Sequence, residues 1–251
     1  MYTQTEHTNI LPAPFTWAHI PGGTVTLTHS GGYITAPLHV DVAPFAIARY
    51  PITHGQFAIF VDSPDGYQDH RWWDFSSVAQ LWRLENDIPV DVTYGDDTYP
   101  RVHLTWYEAV AFCRWLGTKT GTQIGLPTEA EWQLAAQGDD ERPYPWGHEW
   151  DPDRCTHNLA HDQIGPTGVT TYEGRGESQH GVVDMLGNVW EWCATNWHTG
   201  SADTSGDSAR VLRGGSWFDD VLGIFRTTYR SNWMPDLTSD LRGFRIVLRE
   251  G

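Results

Sequence analysis

The sequence predicts an α+β fold, with a few short helices set among short strands and many ordered loops. Three observations predict it: three helix-capping motifs, an abundance of turn-forming residues and a high aromatic content. The 251 residues include 25 glycines, 15 prolines and 14 tryptophans. This composition favours an aromatic core held together by turns over a bundle of long aliphatic helices.

Each predicted helix begins with a threonine that is followed three residues later by Glu or Gln. In such a capping box the threonine hydroxyl accepts a hydrogen bond from a first-turn amide, and the later side chain bonds the cap residue's own amide. The boxes pair Thr53 with Gln56, Thr105 with Glu108, and Thr128 with Glu131. We expect Gly117 to end the second helix and Gly138 the third.

The predicted strands are short. Residues 24–27 alternate in polarity, and 211–213 and 244–248 flank a long segment without regular periodicity. Stretches rich in Pro, Gly and Asp predict loops at 62–69, 138–154 and 199–209. None of these loops resembles an interdomain linker, so we expect a single domain over 1–251 with its core at about 15–248.

The charge of the chain limits its partners. The 16 Lys and Arg residues against 32 Asp and Glu give a net charge of −16. Such a field repels phosphate backbones, so we expect no nucleic-acid partner. No stretch is long and apolar enough to span a membrane, and residues 1–11 lack the apolar core of a signal peptide. As the chain stands, we expect a cytoplasmic monomer.

The chain has three cysteines, Cys113, Cys155 and Cys193. The number is odd and no Cys-x-x-Cys spacing occurs, so the sequence predicts neither a disulfide framework nor a zinc site. We expect three buried thiols.

A set of motifs resembles the formylglycine-generating-enzyme, or sulfatase-modifying-factor, family. The most specific are LPTEAEW at 126–132, GNVWEW at 187–192 and RGGSW at 213–217, followed by GFR at 243–245. The resemblance implies a C-type-lectin-like fold with small antiparallel sheets. The family includes formylglycine-generating oxidases, iron-dependent sulfoxide synthases and binding modules, among them variable proteins of diversity-generating retroelements.

The ligands for the family's two redox chemistries are missing from this chain. The resemblance implies a copper site made of two cysteines after the Gly-Gly-Ser motif, yet 217–226 contains none. Cu(I) requires soft thiolate ligands, so we expect no copper. The HxxxHxE iron pattern of the sulfoxide synthases is missing from the sequence as well. A metal-dependent oxygenase of this family with a relocated active site stays open as the alternative.

The resemblance also implies a structural calcium ion at the GNVWEW motif. Its implied ligands are the carboxylates of Asp184 and Glu191 and the backbone carbonyls of Gly187 and Val189. Calcium takes about six to eight oxygen ligands of this mixed kind. Alternatively, the two acids cap a turn around Asn188 without any metal.

The segment 218–241 is the candidate binding surface. It mixes apolar, acidic and small polar residues with neither helical nor strand periodicity, so its side chains cannot all face one core. Aromatic and small polar side chains on fixed loops are typical of adaptable binding surfaces. We predict a protein or small-molecule ligand that contacts Phe218, Asp219, Asp220, Leu222, Ile224, Phe225, Thr227, Tyr229, Ser231, Asn232, Trp233, Leu237, Thr238 and Asp240.

Part of this segment is compatible with diversification by a retroelement. The resemblance implies variable positions here, and changes at the adenines of Asn codons can produce the residue types found at 218–225. Trp233 and Met234 do not follow this rule.

The residues around the segment are expected to serve folding. Gly214, Gly215 and Gly243 are predicted to lie where a side chain would not fit, with Trp217 and Phe244 as core anchors. The arginines of this region are expected to fix loops through acids and carbonyls: Arg213, Arg226, Arg230 and Arg245.

Overall fold

The computed structural model describes residues 10–91 and 94–249. Within these residues four helices and ten strands form a mixed α+β architecture, which confirms the predicted class. No helix in the described ranges is long and apolar enough to cross a membrane. The expectation of no signal peptide concerns mainly residues 1–9, which lie outside the described residues.

The helices are α1 (His54–Asp62), α2 (Ser77–Glu85), α3 (Trp106–Thr120) and α4 (Glu129–Gln137). All three predicted capping boxes are present, at Thr53, Thr105 and Thr128. Gly138 ends α4 as predicted, and its amide donates to the carbonyl of Leu134. Local hydrogen bonding by the cap residues therefore determines where three of the four helices begin.

Two details of the helix prediction were wrong. Helix α3 continues past Gly117, because Gly121 supplies the left-handed conformation (φ 67°) that ends a helix at low cost. Helix α2 was missed because it has no capping box. Its cap is the single hydrogen bond that the Ser76 hydroxyl accepts from the amide of Val78.

The strands in chain order are β1 (Trp17–Ile20), β2 (Gly23–Leu27), β3 (Leu38–Val42), β4 (Phe45–Ala48), β5 (Gln123–Gly125), β6 (Trp190–Asn196), β7 (Arg210–Arg213), β8 (Arg230–Trp233), β9 (Arg242–Gly243) and β10 (Val247–Arg249). They form an antiparallel sheet in the order β1-β4-β10-β5, a β2-β3 hairpin, and a sheet in the order β8-β7-β6-β9. Only the β6-β9 pair of the described strands is parallel. The strands predicted at 24–27 and 211–213 are parts of β2 and β7.

The strand predicted at 244–248 is a strand only at 247–248, which belong to β10, and residues 244–246 lie between β9 and β10, so the prediction of one continuous strand was wrong. Strand β9 belongs to the third sheet and β10 to the first. The intervening residues 244–246 are buried, and the carbonyls at the two ends of this stretch accept hydrogen bonds from the amides of Ala48 and Ile52. The segment therefore connects the sheets through the core.

The core is aromatic, as the composition predicts. Around α3, the rings of Phe57, Phe60, Phe112 and Trp115 contact one another at centroid distances of 5.4–5.9 Å. A second cluster joins Trp132 and other residues of α4 with side chains of β2, β6 and β7. The three cysteines are buried and unpaired.

Candidate ligand-binding surface

The segment 218–241, here called the display segment, follows a turn that requires glycine. Gly214 and Gly215 have φ values of 100° and 79°. A Cβ atom on Gly214 would lie 3.2 Å from the carbonyl oxygen of Met185, and one on Gly215 would lie 3.1 Å from the ring of Phe225. The expectation that side chains do not fit here is confirmed by both the backbone conformation and the close neighbours.

Trp217 and Asp219 fix the start of the display segment. Trp217 is 6% exposed. Its indole N–H donates to the Asp240 carbonyl at 3.3 Å, and its backbone amide donates to the Asn188 carbonyl at 2.8 Å. The Asp219 carboxylate accepts hydrogen bonds from the amide and the hydroxyl of Ser216, both at 2.7 Å. Asp219 therefore stabilises the turn, in addition to any contact it makes with a ligand.

Buried arginines hold the scaffold beneath the segment. Arg245 pairs with both carboxylate oxygens of Glu191, each at 2.6 Å. Arg230 pairs in the same bidentate way with Glu129, at 2.8 and 2.9 Å. Arg213 lies 3.5 Å from the same Glu129 carboxylate and donates to a display-segment carbonyl at 2.6 Å. These contacts confirm the predicted loop-fixing role for three of the four arginines.

The predicted ligand-contacting residues fall into three groups. The exposed ones are Phe218, Asp220, Leu222, Trp233, Leu237 and Thr238. Those of intermediate exposure are Asp219, Ile224, Tyr229, Ser231, Asn232 and Asp240. Phe225 and Thr227 are fully buried, so the prediction that they contact a ligand was wrong. Phe225 packs in the core at 5.6 Å from the ring of Trp150, and the Thr227 hydroxyl donates to the carbonyl of Arg142.

A cavity of about 390 Å³ opens at the first half of the display segment. Its lining is Val221, Gly223, Ile224, Arg226, Thr228, Tyr229 and His29. Arg226 is exposed at this cavity, and its guanidinium lies 5.5 Å from the centroid of the Tyr144 ring. His29 lies on the loop after β2, and its ring centroid is 4.6 Å from that of Tyr229. His29 could not be predicted from the sequence, because no local pattern links it to a segment so distant in the chain.

The lining of the cavity is mostly apolar, and the charges of Arg213 and Arg230 act on its His29. Burial and the nearby guanidinium groups of Arg213 and Arg230 lower the pKa of His29, so its imidazole is neutral at pH 7. Nε of Arg213 is buried without a hydrogen-bond partner among the described residues. Two guanidinium charges thus face the single carboxylate of Glu129. The cavity is suited to an apolar ligand that is neutral or negatively charged.

The second half of the display segment forms a separate apolar surface. Trp233, Met234 and Leu237 are 41%, 44% and 44% exposed. The guanidinium of Arg242 lies over the Trp233 ring at 4.0 Å, a cation–π contact that holds the ring in place. This fixed ring and its flexible neighbours provide the kind of surface that binds a second protein.

Residues 12–250 of the chain match the family described as sulfatase-modifying factor enzyme 1-like domain. The chain belongs to this family. It is 31% identical to a formylglycine-generating enzyme of Streptomyces coelicolor, covering 91% of this chain and 87% of that protein. It is 30% identical to an inactive C-alpha-formylglycine-generating enzyme 2 of Mus musculus, with coverages of 93% and 85%.

The solved structure of Treponema denticola variable protein 1 has the same fold. It superimposes with a TM-score of 0.68 at 21% identity, covering 94% of this chain and 95% of that chain. Together with the family match, this likeness confirms the predicted C-type-lectin-like, sulfatase-modifying-factor fold.

The two acids implied as calcium ligands in this sulfatase-modifying-factor domain differ in their surroundings. Both oxygens of Glu191 are engaged by Arg245, and one also accepts from the Trp132 indole at 2.7 Å. Asp184 is buried, and its Oδ2 accepts from the Asn188 side chain at 2.9 Å. Its Oδ1 has no hydrogen-bond partner among the described residues. Burial raises the pKa of Asp184 to about 7.

Asp184 therefore fits a cation and Glu191, as arranged here, does not. In the described ranges no three or more His, Cys, Asp or Glu side chains come together as a metal-binding group. The Asn188 side chain also bonds both backbone groups of Thr167, so a polar network fixes the turn by itself. Calcium at this turn, with the carbonyls of Gly187 and Val189, stays a prediction that now depends on Asp184.

Proposed function

We propose that this domain binds a ligand, a protein or a small molecule, through the display segment. A contrast between neighbouring residues supports the proposal. Phe218, Leu222 and Trp233 are 58%, 40% and 41% exposed, whereas Trp217 and the glycine turn beneath them are buried. Phe218 and Leu222 in the first half of the segment and Trp233 in the second expose large apolar area on fixed loops, which is a liability in a folded protein unless it serves binding.

The small-molecule arm is tested by filling the cavity. Gly223 lines it, and a Cβ atom there would meet nothing within 4 Å, so Gly223→Phe adds bulk without backbone strain. In a thermal-shift screen of small neutral and anionic apolar compounds, we expect some to raise the Tm of the wild type and not that of Gly223→Phe. Ile164→Phe, at an 88% exposed position outside the cavity, is the matched control. Equal shifts in all three proteins would contradict ligand binding in this cavity.

The protein-binding arm is tested on the second apolar surface. Trp233→Ala combined with Leu237→Ser removes exposed apolar area while the buried scaffold is untouched. We expect the pair to lose a partner that the wild type retains in co-purification from its own host, and Gly223→Phe to keep that partner. A partner retained equally by all variants would bind elsewhere.

We also propose that the display segment is diversified. The likeness in fold to a variable protein and the residue types at 218–225 support this idea. Sequencing many cells of one population should find adenine-specific codon changes within 218–241 and none within 184–217. The proposal would be contradicted if all cells carried identical codons and no reverse transcriptase gene lay nearby.

The alternative is a metal-dependent oxygenase with a relocated active site, and the 31% identity to a formylglycine-generating enzyme favours it. Burial raises the pKa of the thiols of Cys113, Cys155 and Cys193, which disfavours the thiolates that copper needs. Metal analysis of the purified protein separates the two ideas. Calcium alone supports the binding domain, whereas stoichiometric iron or copper supports the oxygenase. A cytoplasmic monomer without a nucleic-acid partner remains part of the proposal.

A further inference from the structure

A second cavity, of about 570 Å³, lies outside the display segment. Helix α1 forms one wall with Phe57, Ala58 and Val61, and the described part of the loop 88–97 forms the other. The loop contributes apolar side chains that are otherwise exposed to solvent, Ile88 at 74% and Val90 at 45%. Cavities of about 300–1,000 Å³ with largely apolar walls are typical of small-molecule sites.

Two polar groups that line this cavity are buried without partners. Nε2 of His54 and Nε of Arg101 have no hydrogen-bond partner among the described residues. Arg101 is 8% exposed, its guanidinium lies 4.8 Å from the centroid of the Phe57 ring, and its Nη2 donates to the carbonyl of Val90 at 2.9 Å. Buried unpaired donors are rare in folded proteins, and two in one cavity indicate that a hydrogen-bonding ligand completes it.

The charged groups around the cavity determine which charge and which hydrogen-bonding groups the ligand must have. Arg101 is a permanent cation with two acidic neighbours, Glu108 and the rim residue Asp91. Glu108 is buried and already accepts hydrogen bonds from the amide and hydroxyl of Thr105 and from the hydroxyl of Tyr67. Burial, with Arg101 next in effect, lowers the pKa of His54 to about 4, so its imidazole is neutral and can donate through Nε2. The floor of the cavity therefore offers donors and one positive charge. Acids line the rim: Asp91, Asp96 and Asp97.

We propose that this cavity binds a small apolar carboxylate. The carboxylate bonds Nε of Arg101 and Nε2 of His54, and the apolar body packs between Ala58, Val61 and the loop side chains. The guanidinium disfavours an ammonium group at the floor, where the charged end of the ligand lies, and the three rim carboxylates disfavour a dianion such as a phosphate monoester more than a monoanion. The site is distinct from the cavity of the display segment, because its lining comes from α1, from 88–91 and 94–97 and from Arg101, although Tyr94 of this lining donates to Asp240 at 3.1 Å.

The test titrates the full chain with 3-phenylpropionate and follows binding by calorimetry and by amide chemical shifts. We expect saturable binding with a Kd of about 1 mM or tighter, within the range open to a molecule of this size. Phenethylamine, which has the same apolar body and the opposite charge, should bind at least about tenfold more weakly. Phenylalanine carries an ammonium group in addition to the carboxylate and therefore tests whether the acidic rim accepts one. If phenylalanine binds more weakly than 3-phenylpropionate, the site is restricted to simple carboxylates.

Matched variants on α1 separate this cavity from the rest of the surface. Ala58→Trp should abolish binding of the acid, because Ala58 lines the cavity, and Ile59→Trp should not, because Ile59 lies outside it and is 40% exposed. Arg101→Met should weaken binding at least about tenfold, with folding checked by circular dichroism. If that variant does not fold, the α1 pair still decides the question.

The proposal is overturned if the acid fails to bind, if the amine binds equally well, or if Ala58→Trp binds as the wild type does. Gly223→Phe should leave binding of the acid unchanged. A loss of binding in that variant would mean that the acid occupies the display cavity instead, which also overturns the proposal and leaves the function of the display segment intact.

Discussion

Two buried charge clusters support the display segment, and they differ in one respect. The cluster of Arg245 and Glu191 matches one guanidinium with one carboxylate. The cluster of Arg213, Arg230 and Glu129 sets two guanidinium groups against one carboxylate. Both are completely or almost completely buried. A balanced pair only has to hold the fold, whereas an excess positive charge next to a cavity also changes what the cavity can bind.

The largest expected effect comes from breaking the balanced cluster. Arg245→Met leaves Glu191 as a buried charge without its partner, which costs about 3–5 kcal/mol in the free energy of unfolding. Urea denaturation measures this loss. The double variant Arg245→Met/Glu191→Leu should recover most of it, because no charge is then left unpaired. A single variant as stable as the wild type would show that the pair contributes little.

A smaller effect is expected from removing calcium. If an ion completes the free oxygen of Asp184, chelation should lower the Tm of the wild type, since an ion at a hundredfold excess over its Kd stabilises by about 2.7 kcal/mol. Asp184→Asn keeps an acceptor for the Asn188 side chain and removes the charge, so its Tm should not respond to chelation. Asp220→Ala, at an exposed acid, should respond as the wild type does. A wild-type Tm that changes with neither chelator nor added calcium would contradict the calcium site and would mean that hydrogen bonds alone stabilise the turn.

Removing one arginine from the cluster of Arg213, Arg230 and Glu129 should cost less stability than removing Arg245. Arg213→Met loses hydrogen bonds to Gln133 and to the Thr227 carbonyl, while Arg230 still pairs with Glu129, so we expect a loss of about 2 kcal/mol. Because Arg213 is one of the charges that lower the pKa of His29, its removal should raise that pKa towards the ordinary value. An NMR pH titration of the His29 ring measures the shift. An unchanged pKa of His29 would show that the charge of Arg213 does not act on the cavity.

The smallest effects separate turn residues from exposed ones within the display segment. Asp219→Ala removes two hydrogen bonds at Ser216 and should cost about 1 kcal/mol. Asp220→Ala and Thr238→Ala should each stay within about 0.5 kcal/mol, as is usual for surface substitutions. Thermal melts of the three single variants rank them. If Asp220→Ala lost as much stability as Asp219→Ala, the exposed residues would also stabilise the fold.

Local signals in the sequence were enough to predict most of the helices. A capping box acts within four residues, so Thr53, Thr105 and Thr128 identify their helices without tertiary information. The end of α3 was misjudged because Gly117 and Gly121 are both plausible stops, and only the latter takes the left-handed conformation. The motifs that carry the family resemblance predicted the fold, since they include the glycines and arginines that form its buried scaffold.

Long-range features could not be read from the sequence. The break between β9 and β10, which interrupts the strand predicted at 244–248, depends on partners in β4 and β6. Phe225 and Thr227 lie in a segment without periodicity, and nothing local distinguishes them from their exposed neighbours. His29 joins the display cavity only through tertiary contact with Tyr229. The cavity at α1 combines His54 with Arg101 in the same way, although neither belongs to a recognisable motif.

The bond that closes the display segment involves no side chain at its far end. Trp217 donates to the backbone carbonyl of residue 240, an acceptor that every amino acid provides. The side chain at this end can therefore be exchanged without loss of this hydrogen bond, and so can the exposed side chains between, whereas the buried Phe225, Thr227 and Arg230 hold the scaffold. The scaffold tolerates new exposed side chains because the hydrogen bond that closes the loop uses a backbone acceptor.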